Sequence, residues 1–145
     1  MNIGCLVRNG IAYISCYVKV GNGGPYHEDD AIGPIPVQNA EDLRRAFHDA
    51  ILRGSPVVPE SDPRAQAKSK MLKLAGVKSW TALYSNASAW KASDYGGHYR
   101  LSRMKRYYRG WTEDQDQTIH LPPGATAEDA AQRLVEMIQA AGGEP

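Results

Sequence analysis

The stretch that decides the fold is Ile3-Gly-Cys-Leu-Val-Arg-Asn-Gly-Ile-Ala-Tyr-Ile-Ser-Cys-Tyr-Val-Lys-Val20. Two runs rich in β-branched residues, Ile3–Arg8 and Ile11–Val20, flank the dipeptide Asn9-Gly10. Asn-Gly favours a two-residue type I′ turn, because both central positions of that turn need a positive φ. The stretch therefore predicts a tight β-hairpin at the start of the chain.

The turn also predicts which residues share a face of the hairpin. It places Ile3 opposite Cys16 and Cys5 opposite Ile14, and the period of two in a strand then sorts the side chains. One face carries only apolar or thiol groups: Ile3, Cys5, Val7, Ala12, Ile14, Cys16, Val18 and Val20. We expect this face to contact the core and both cysteines to be buried thiols, since free cysteine is among the most buried residue types.

Three helices are predicted from apolar spacing and from their end signals. The first covers about Ala40–Arg53, where Leu, Phe and Ile recur every four residues. The second covers about Pro63–Ala75, with proline in its first turn and glycine after its end. The third covers about Ala127–Ala141, and Thr126 with Asp129 forms a capping box at its start. The tail after this helix is expected to be mobile.

The remaining segments are assigned as loops or strands. Residues 21–38 are rich in glycine and proline and read as a long surface loop that holds the acidic cluster His27–Asp30. Strands are predicted near Trp80–Ser85, His98–Tyr107 and Gln117–Leu121, and Trp111–Asp116 is interpreted as a polar hairpin loop. Residues 86–97 fit either a continued strand or an irregular turn.

The order of these elements predicts the fold class. The order is ββααβββα, in which helices and strands are grouped rather than alternating. Such grouping favours an α+β domain with an antiparallel or mixed sheet of about five strands and three helices. At 145 residues the chain has the length of one ordinary domain, so we assign residues 1–145 to a single domain.

Composition narrows the possible functions. Lys and Arg total 17 and Asp and Glu total 16, which gives a net charge of +1. This balance argues against a strongly basic nucleic-acid binder and against a polyanionic mimic. No stretch approaches the roughly 20 apolar residues of a membrane helix, and the N-terminus lacks the features of a secretory signal. We therefore expect a cytoplasmic protein with no membrane partner.

The sequence offers no recognisable catalytic or metal-binding motif. It contains no His-Glu-x-x-His and no Cys-x-x-Cys, and Gly21-Asn-Gly-Gly24 lacks the Gly-Lys-Ser/Thr ending of a phosphate loop. The four histidines, His27, His48, His98 and His120, show no spacing that indicates a nucleophile and base. We expect no catalytic residues, no metal and no cofactor, and thus a protein that is not an enzyme.

One basic and aromatic run supports an alternative function. Arg100, Arg103, Lys105, Arg106 and Arg109 alternate with Tyr99, Tyr107 and Tyr108. Charge interleaved with aromatic rings can form a platform for nucleic acid, but it also suits a solvated outer strand face. The alternative function is therefore a small RNA-binding module that uses Tyr99, Arg103, Arg106 and Tyr108.

The C-terminal half resembles a known family. The segment Tyr107-Tyr-Arg-Gly-Trp-Thr-Glu-Asp-Gln-Asp-Gln-Thr-Ile-His-Leu-Pro-Pro-Gly-Ala-Thr-Ala-Glu-Asp-Ala-Ala-Gln-Arg-Leu134 passes from an aromatic-basic strand through a polar turn to an apolar strand. A Leu-Pro-x-x-Ala start then leads into an acidic-capped helix. This ending resembles that of immunity proteins of bacterial contact-dependent growth inhibition systems.

The resemblance implies a cytoplasmic antitoxin without catalytic residues. Such proteins bind the C-terminal toxin domain of their own strain, as one-to-one complexes, and those toxins are frequently nucleases, including nucleases that cut transfer RNA. Clustered acids on exposed segments could occupy the basic site of such a toxin. The candidate toxin-binding residues are Tyr26, His27, Glu28, Asp29, Asp30, Arg103, Arg106, Trp111, Glu113, Asp114 and Asp116.

Overall fold

A computed structural model of the chain describes residues 1–142. Residues 143–145, which belong to the tail expected to be mobile, lie outside the described residues. The strands are β1 (Asn2–Arg8), β2 (Ile11–Val20), β3 (Tyr26–Pro36), β4 (Val57–Val58), β5 (Ala87–Tyr95), β6 (His98–Tyr107) and β7 (Gly110–His120). The helices are α1 (Ala40–Arg53), α2 (Met71–Ala75), α3 (Trp80–Tyr84) and α4 (Ala127–Ala140), with a 3-10 turn at Pro63–Gln66.

One mixed sheet organises the molecule. Its strand order is β3-β2-β1-β5-β6-β7, and all these neighbours are antiparallel. The short β4 pairs in parallel with the end of β2, which extends past the start of β1. Lys19 pairs with Val57, and Val20 pairs with Val58. The α+β class is confirmed. The predicted number of strands was too low, because residues 1–142 form a sheet of seven strands.

The N-terminal hairpin has the predicted register. Ile3 pairs with Cys16 and Cys5 with Ile14. Asn9 and Gly10 have φ values of 53° and 74°, as the two central residues of a type I′ turn require. The apolar face of this hairpin contacts the main core, and both cysteines are buried and free.

Helices cover the two faces of the sheet to different extents. Helices α1 and α4 pack on one face and bury Leu43, Phe47, Leu134 and Ile138 there. On the opposite face a smaller core joins Leu6, Tyr13 and Ala89 of the sheet to Met71 of α2 and Leu83 of α3. Because α2 and α3 have only five residues each, they cover less of this second face than α1 and α4, with 14 residues each, cover of the first.

The prediction of a surface loop for residues 21–38 was wrong for most of that range. Residues Tyr26–Pro36 form β3, an outer strand that pairs with β2 through two register shifts. Proline is tolerated on an outer strand because such a strand pairs on one side only. A missing N–H on its unpaired side breaks no hydrogen bond of the sheet. The ambiguous segment 86–97 mostly forms a strand, since β5 covers Ala87–Tyr95. The count of about five strands had omitted β3 and β4, and it had included Trp80–Ser85 in place of β5.

The predicted helix Pro63–Ala75 is broken in the structure. A 3-10 turn ends at Gln66, and α2 begins only at Met71. The intervening residues contact β3 with polar groups: Ala67 O lies 2.7 Å from His27 Nε2, and Ser69 Oγ donates a hydrogen bond to Glu28. These contacts outweigh the local helical preference, because a continuous helix could not present the same groups to the strand.

Two further assignments near the sheet were wrong. Trp80–Ser85, predicted as a strand, contains the helix α3, which Ser79 caps through a hydrogen bond from the Ala82 N–H. The described residues therefore form four helices rather than three. The polar segment 111–116 is not the hairpin loop. The chain turns at residues 108–109, and the segment lies in β7, with residues 114–117 bulging opposite Arg103.

Candidate functional site

The uncovered part of the second sheet face forms a cleft. The cleft has a volume of about 400 Å³ and opens between the sheet and the short helices. Residues from three separated parts of the chain line it, including Gly4, Tyr17, Glu28, Trp80, Tyr84 and Trp111. Clefts of this size with aromatic walls and a few polar groups are the usual binding sites of proteins. This cleft is therefore the candidate functional site.

An aromatic row forms one wall of the cleft. The ring centroids of Trp80 and Tyr84 are 5.6 Å apart, and those of Tyr84 and Trp111 are 5.5 Å apart. The guanidinium of Arg106 lies 4.9 Å from the Tyr84 ring centroid and 5.0 Å from that of Trp111. Aromatic faces attract cations through their quadrupole, so Arg106 already covers one part of the row. Trp80, at the other end, is 40% exposed.

The cleft reaches the backbone of β1 because Gly4 has no side chain. A Cβ atom at Gly4 would lie 3.1 Å from the Tyr17 Oη, so a larger residue would press on that ring. Burial raises the pKa of Tyr17 to about 12, so its hydroxyl is neutral at physiological pH. Gly4 and Tyr17 together give the cleft a neutral floor.

Glu28 supplies the carboxylate of the cleft. Its Oε1 accepts a hydrogen bond from Ser15 Oγ at 2.8 Å, and its Oε2 accepts one from Ser69 Oγ. Within residues 1–142, no Lys, Arg or His nitrogen lies within 4.0 Å of this carboxylate. Neutral hydroxyl groups, rather than an ion pair, therefore hold the Glu28 carboxyl group in position.

Asp29 and Asp30, which are also predicted to contact the toxin, form ion pairs within the chain. Asp29 pairs with Arg53 of α1, and its side chain is only 4% exposed. Asp30 Oδ1 lies 3.0 Å from Lys70 Nζ, and its Oδ2 lies 3.7 Å from Arg53. Burial acts to raise the pKa of Asp30, but the hydrogen bond and charge of Lys70, with the charge of Arg53, lower it overall. These two acids hold β3 to its neighbours.

Tyr26 and His27, two candidate toxin-binding residues at the start of β3, have different surroundings. Tyr26 is exposed, and Lys19 Nζ lies 5.9 Å from its ring centroid. His27 is partly buried, and its Nε2 contacts the carbonyl oxygen of Ala67. Tyr26 therefore remains available at the surface, whereas His27 fixes the segment that follows the 3-10 turn.

The predicted acids of β7 also differ from one another. Glu113 accepts from Arg100 at 2.7 Å and lies 3.4 Å from Lys91 Nζ. Burial acts to raise its pKa, but the Arg100 hydrogen bond and the two cations lower it overall. Asp114 Oδ1 accepts from the Asp116 N–H at 3.1 Å and so shapes the bulge, while the Asp116 side chain has no such role among the described residues.

The structure does not bring all the predicted residues together. Strands β3 and β7 form opposite edges of the sheet, so their acids do not make one continuous rim. Glu28 and Trp111 nevertheless line the same cleft. Arg103 is on the other face of the sheet, where its guanidinium lies 5.4 Å from the Trp90 ring centroid. Arg106 faces the aromatic row.

The residues of the RNA-binding alternative are divided between the two faces. Tyr99 packs against the main core, and Arg103 borders a depression beside the end of α4. Arg106 points to the opposite face, and Tyr108 lies at the turn, 87% exposed. Alternation along β6 causes this division, because residues of odd and even number face opposite ways.

The described part of the chain shows neither a metal-ligand cluster nor a membrane-spanning helix. Within residues 1–142, no group of three or more His, Cys, Asp or Glu side chains is arranged to hold a metal ion. No helix in the same range is both long enough and apolar enough to span a bilayer.

Sequence reasoning missed several residues of the cleft. Gly4, Tyr17, Trp80 and Tyr84 were not among the candidates, and Trp80 and Tyr84 were missed because Trp80–Ser85 was assigned to a strand. Once Ser79 is recognised as a helix cap, Trp80 and Tyr84 fall four residues apart on one helix face. That spacing was the available signal. The approach of Glu28 to this helix depends on strand pairing, which no local pattern reveals.

Comparison with known proteins shows the fold alone. No protein-family model matches the chain, and no curated protein matches its sequence significantly. The solved structure of a protein of unknown function from Neisseria meningitidis, NMB0488, is similar, with a TM-score of 0.65 and 17% sequence identity. The alignment covers 92% of each chain, so the whole architecture is shared.

Proposed function

We propose that this protein is an immunity protein that binds and neutralises the toxin domain of a contact-dependent growth inhibition system. The toxin is a nuclease in this proposal, with a transfer RNA nuclease as the specific case. The observation that carries the binding role is the aromatic cleft on the uncovered sheet face, with Arg106 held against Tyr84 and Trp111.

The chemistry of this surface supports a protein partner. Trp, Tyr and Arg are the residues that most often dominate the binding energy of protein interfaces. Here Trp and Tyr side chains line the cleft and Arg106 lies against two of their rings, while Tyr107 and Tyr108 add exposed rings at the end of β6. A tight complex needs such rigid anchors, because binding energy concentrates in a few well-packed side chains rather than in total area.

The identity of the partner comes from the resemblance. The segment from Tyr107 to Leu134 resembles the ending of immunity proteins, and it corresponds to β7, its preceding turn and most of α4. Trp111, on this segment, lines the cleft directly. The region that resembles the family therefore contributes to the surface with binding chemistry.

The RNA-binding alternative has less support. Its four residues do not share a face, so they cannot form the stacking platform on which single-stranded RNA is usually held. The basic run at Lys105, Arg106 and Arg109 remains the one feature that favours it.

Titration against both ligands separates the two functions. The purified chain is titrated with the toxin domain encoded in the neighbouring reading frame and with single-stranded RNA, each at about 50 and 200 mM salt. An immunity protein binds the toxin domain one-to-one and RNA weakly or not at all. Tight RNA binding that falls steeply with salt, together with no toxin binding, contradicts the proposal, because such a slope reports phosphate contacts.

A further inference from the structure

We infer that the cleft receives a lysine or arginine side chain of the partner protein, held between the Glu28 carboxylate and the ring faces of Trp80 and Tyr84. The inference rests on the proposed function for the identity of the partner, the toxin domain. The preference for a cation rests on the cleft itself.

The first support is the state of the Glu28 carboxylate. Asp29 and Asp30 on the same strand are neutralised by Arg53 and Lys70. Glu28 instead accepts only from the hydroxyl groups of Ser15 and Ser69 among the described residues. A partly buried carboxylate with lone pairs to spare gains most from an ionised donor, since charge-assisted hydrogen bonds are the strongest kind.

The second support is the aromatic wall. Trp80 and Tyr84 stand 5.6 Å apart, and both line the cleft with Glu28. The same row of rings already holds one guanidinium, that of Arg106, at 4.9 Å from the Tyr84 centroid. Because the chain itself uses these rings as a cation site, a second cation at the open Trp80 end repeats chemistry already present.

The third support is an acceptor near Glu28. In the sheet register Ile3 pairs with Cys16, which places Asn2 across from Tyr17, and Tyr17 pairs with Glu28 on its other side. Asn2 lines the cleft, and its buried side-chain oxygen accepts no hydrogen bond from the described residues. Asn2 and Glu28 flank Tyr17 from the two neighbouring strands, so Asn2 adds an acceptor to this end of the cleft, and a guanidinium or ammonium group carries several donors.

The opposite end of the cleft has a different charge. Lys91 lines the cleft there and shares Glu113 with Arg100, so two cations meet one carboxylate. An anionic ligand would bind at this end and would depend on Lys91 rather than on Glu28. The two possibilities thus give opposite results in a binding test.

Short peptides test the preference without the toxin. The probes are the acetylated amides of Gly-Arg-Gly and Gly-Lys-Gly, compared with Gly-Glu-Gly and Gly-norleucine-Gly. Binding is followed through the indole N–H resonances of Trp80 and Trp111. We expect both cationic peptides to shift these resonances and the other two to leave them unchanged. No shift with the cationic peptides, or a larger shift with either control, overturns the inference.

Two pairs of variants locate the binding. Glu28→Gln keeps an acceptor for the serines but removes the charge, and it is expected to weaken cationic peptide binding about tenfold. Glu136→Gln on α4 makes the same change in net charge and should have no effect. Trp80→Phe keeps a ring face and should bind, whereas Trp80→Leu keeps only apolar bulk and should lose most binding. The inference is overturned if Glu28→Gln binds the cationic peptides as well as Glu136→Gln does, and Trp80→Leu binds them as well as Trp80→Phe does.

The toxin domain provides the separate test of the partner. If the wild-type chain binds the toxin while Glu28→Gln and Trp80→Leu bind equally well, the cleft inference fails and the proposed function stands. If the wild-type chain does not bind the toxin, the proposed function fails, and the peptide titration alone decides the chemistry of the cleft. Thermal unfolding of each variant verifies that it is folded.

Discussion

Asp29 of β3 and Arg53 at the end of α1 form an ion pair that joins the outer strand to the helix layer. The Asp29 side chain is 4% exposed, whereas Arg53 keeps a third of its surface in solvent. One Asp29 oxygen accepts from Arg53, and the other has no partner among the described residues. The predicted acidic cluster therefore contributes to the structure of the sheet edge as well as to its surface charge.

The first prediction concerns the stability of this edge. Asp29→Asn should lower the free energy of unfolding by roughly 1–3 kcal/mol, because a buried charged hydrogen bond is lost and Arg53 keeps only the more distant Asp30 as an opposite charge. Urea denaturation measures the change. Asp116→Asn, at an exposed residue of the bulge, is the matched control and should change stability by less than about 0.5 kcal/mol. Equal stability of the two variants would show that the ion pair has no structural role.

The second prediction concerns acid stability. The pKa of Glu113 is lowered from 4.5, because the Arg100 hydrogen bond and the Lys91 and Arg100 charges outweigh the opposing effect of burial. A lowered folded-state pKa stabilises the protein above the unfolded-state pKa, and this stabilisation is lost as the pH falls through the folded-state pKa. The contribution of Glu113 is therefore complete at neutral pH and declines below about pH 4.5.

The variant Glu113→Gln tests whether the stabilising contribution of Glu113 declines on acidification. The difference in unfolding free energy between wild type and variant should be largest at pH 7 and should shrink on acidification towards pH 3. Asp30, whose pKa is also lowered, is present in both proteins and cancels from the difference. A difference that grows on acidification would contradict the assignment.

The third prediction concerns thiol reactivity. Burial raises the pKa of Cys5 to about 12 and also raises that of Cys16, and both side chains lie on the core face. The reactive thiolate is therefore scarce at pH 8, and reagents cannot reach it. An aromatic disulfide reagent should label neither cysteine in the native protein and both in urea. Fast native labelling would exclude the core placement of this hairpin.

The fourth prediction concerns association with the toxin. Among the candidate acids, Asp116 is exposed, whereas Asp114 shapes the bulge. Asp116 is therefore the more suitable charge for attracting a basic toxin surface before contact. If the toxin presents a basic site, Asp116→Asn should slow association a few-fold at low salt and leave dissociation unchanged. Stopped-flow binding measures both rates. The effect should vanish at about 0.5 M salt, where charges at the rim are screened. An unchanged association rate would place the interface away from β7.

Local signals in the sequence predicted part of this fold correctly. Asn9-Gly10 fixed the register of β1 with β2, since the turn chemistry and the apolar alternation agree. The end signals of α1 and α4 also gave their positions, including the capping box at Thr126. In these cases the deciding interactions lie within a few residues of one another.

The errors arose where distant contacts decide the structure. The prolines of β3 and the polar residues of β7 look like loops, but pairing with β2 and β6 makes them strands. The cleft was missed for the same reason. Glu28, Tyr84 and Trp111 are far apart in sequence, and only the strand order and the position of α3 bring them together.

Inhibition of the toxin by this chain is the most direct test of the proposed function. The C-terminal domain of the protein encoded in the neighbouring reading frame is taken as the candidate toxin and is assayed on transfer RNA with increasing amounts of the purified chain. Immunity predicts that nuclease activity falls linearly to zero at one equivalent, and that an unrelated immunity protein of similar charge leaves it unchanged. Full toxin activity in a large excess of this chain would contradict the proposed function.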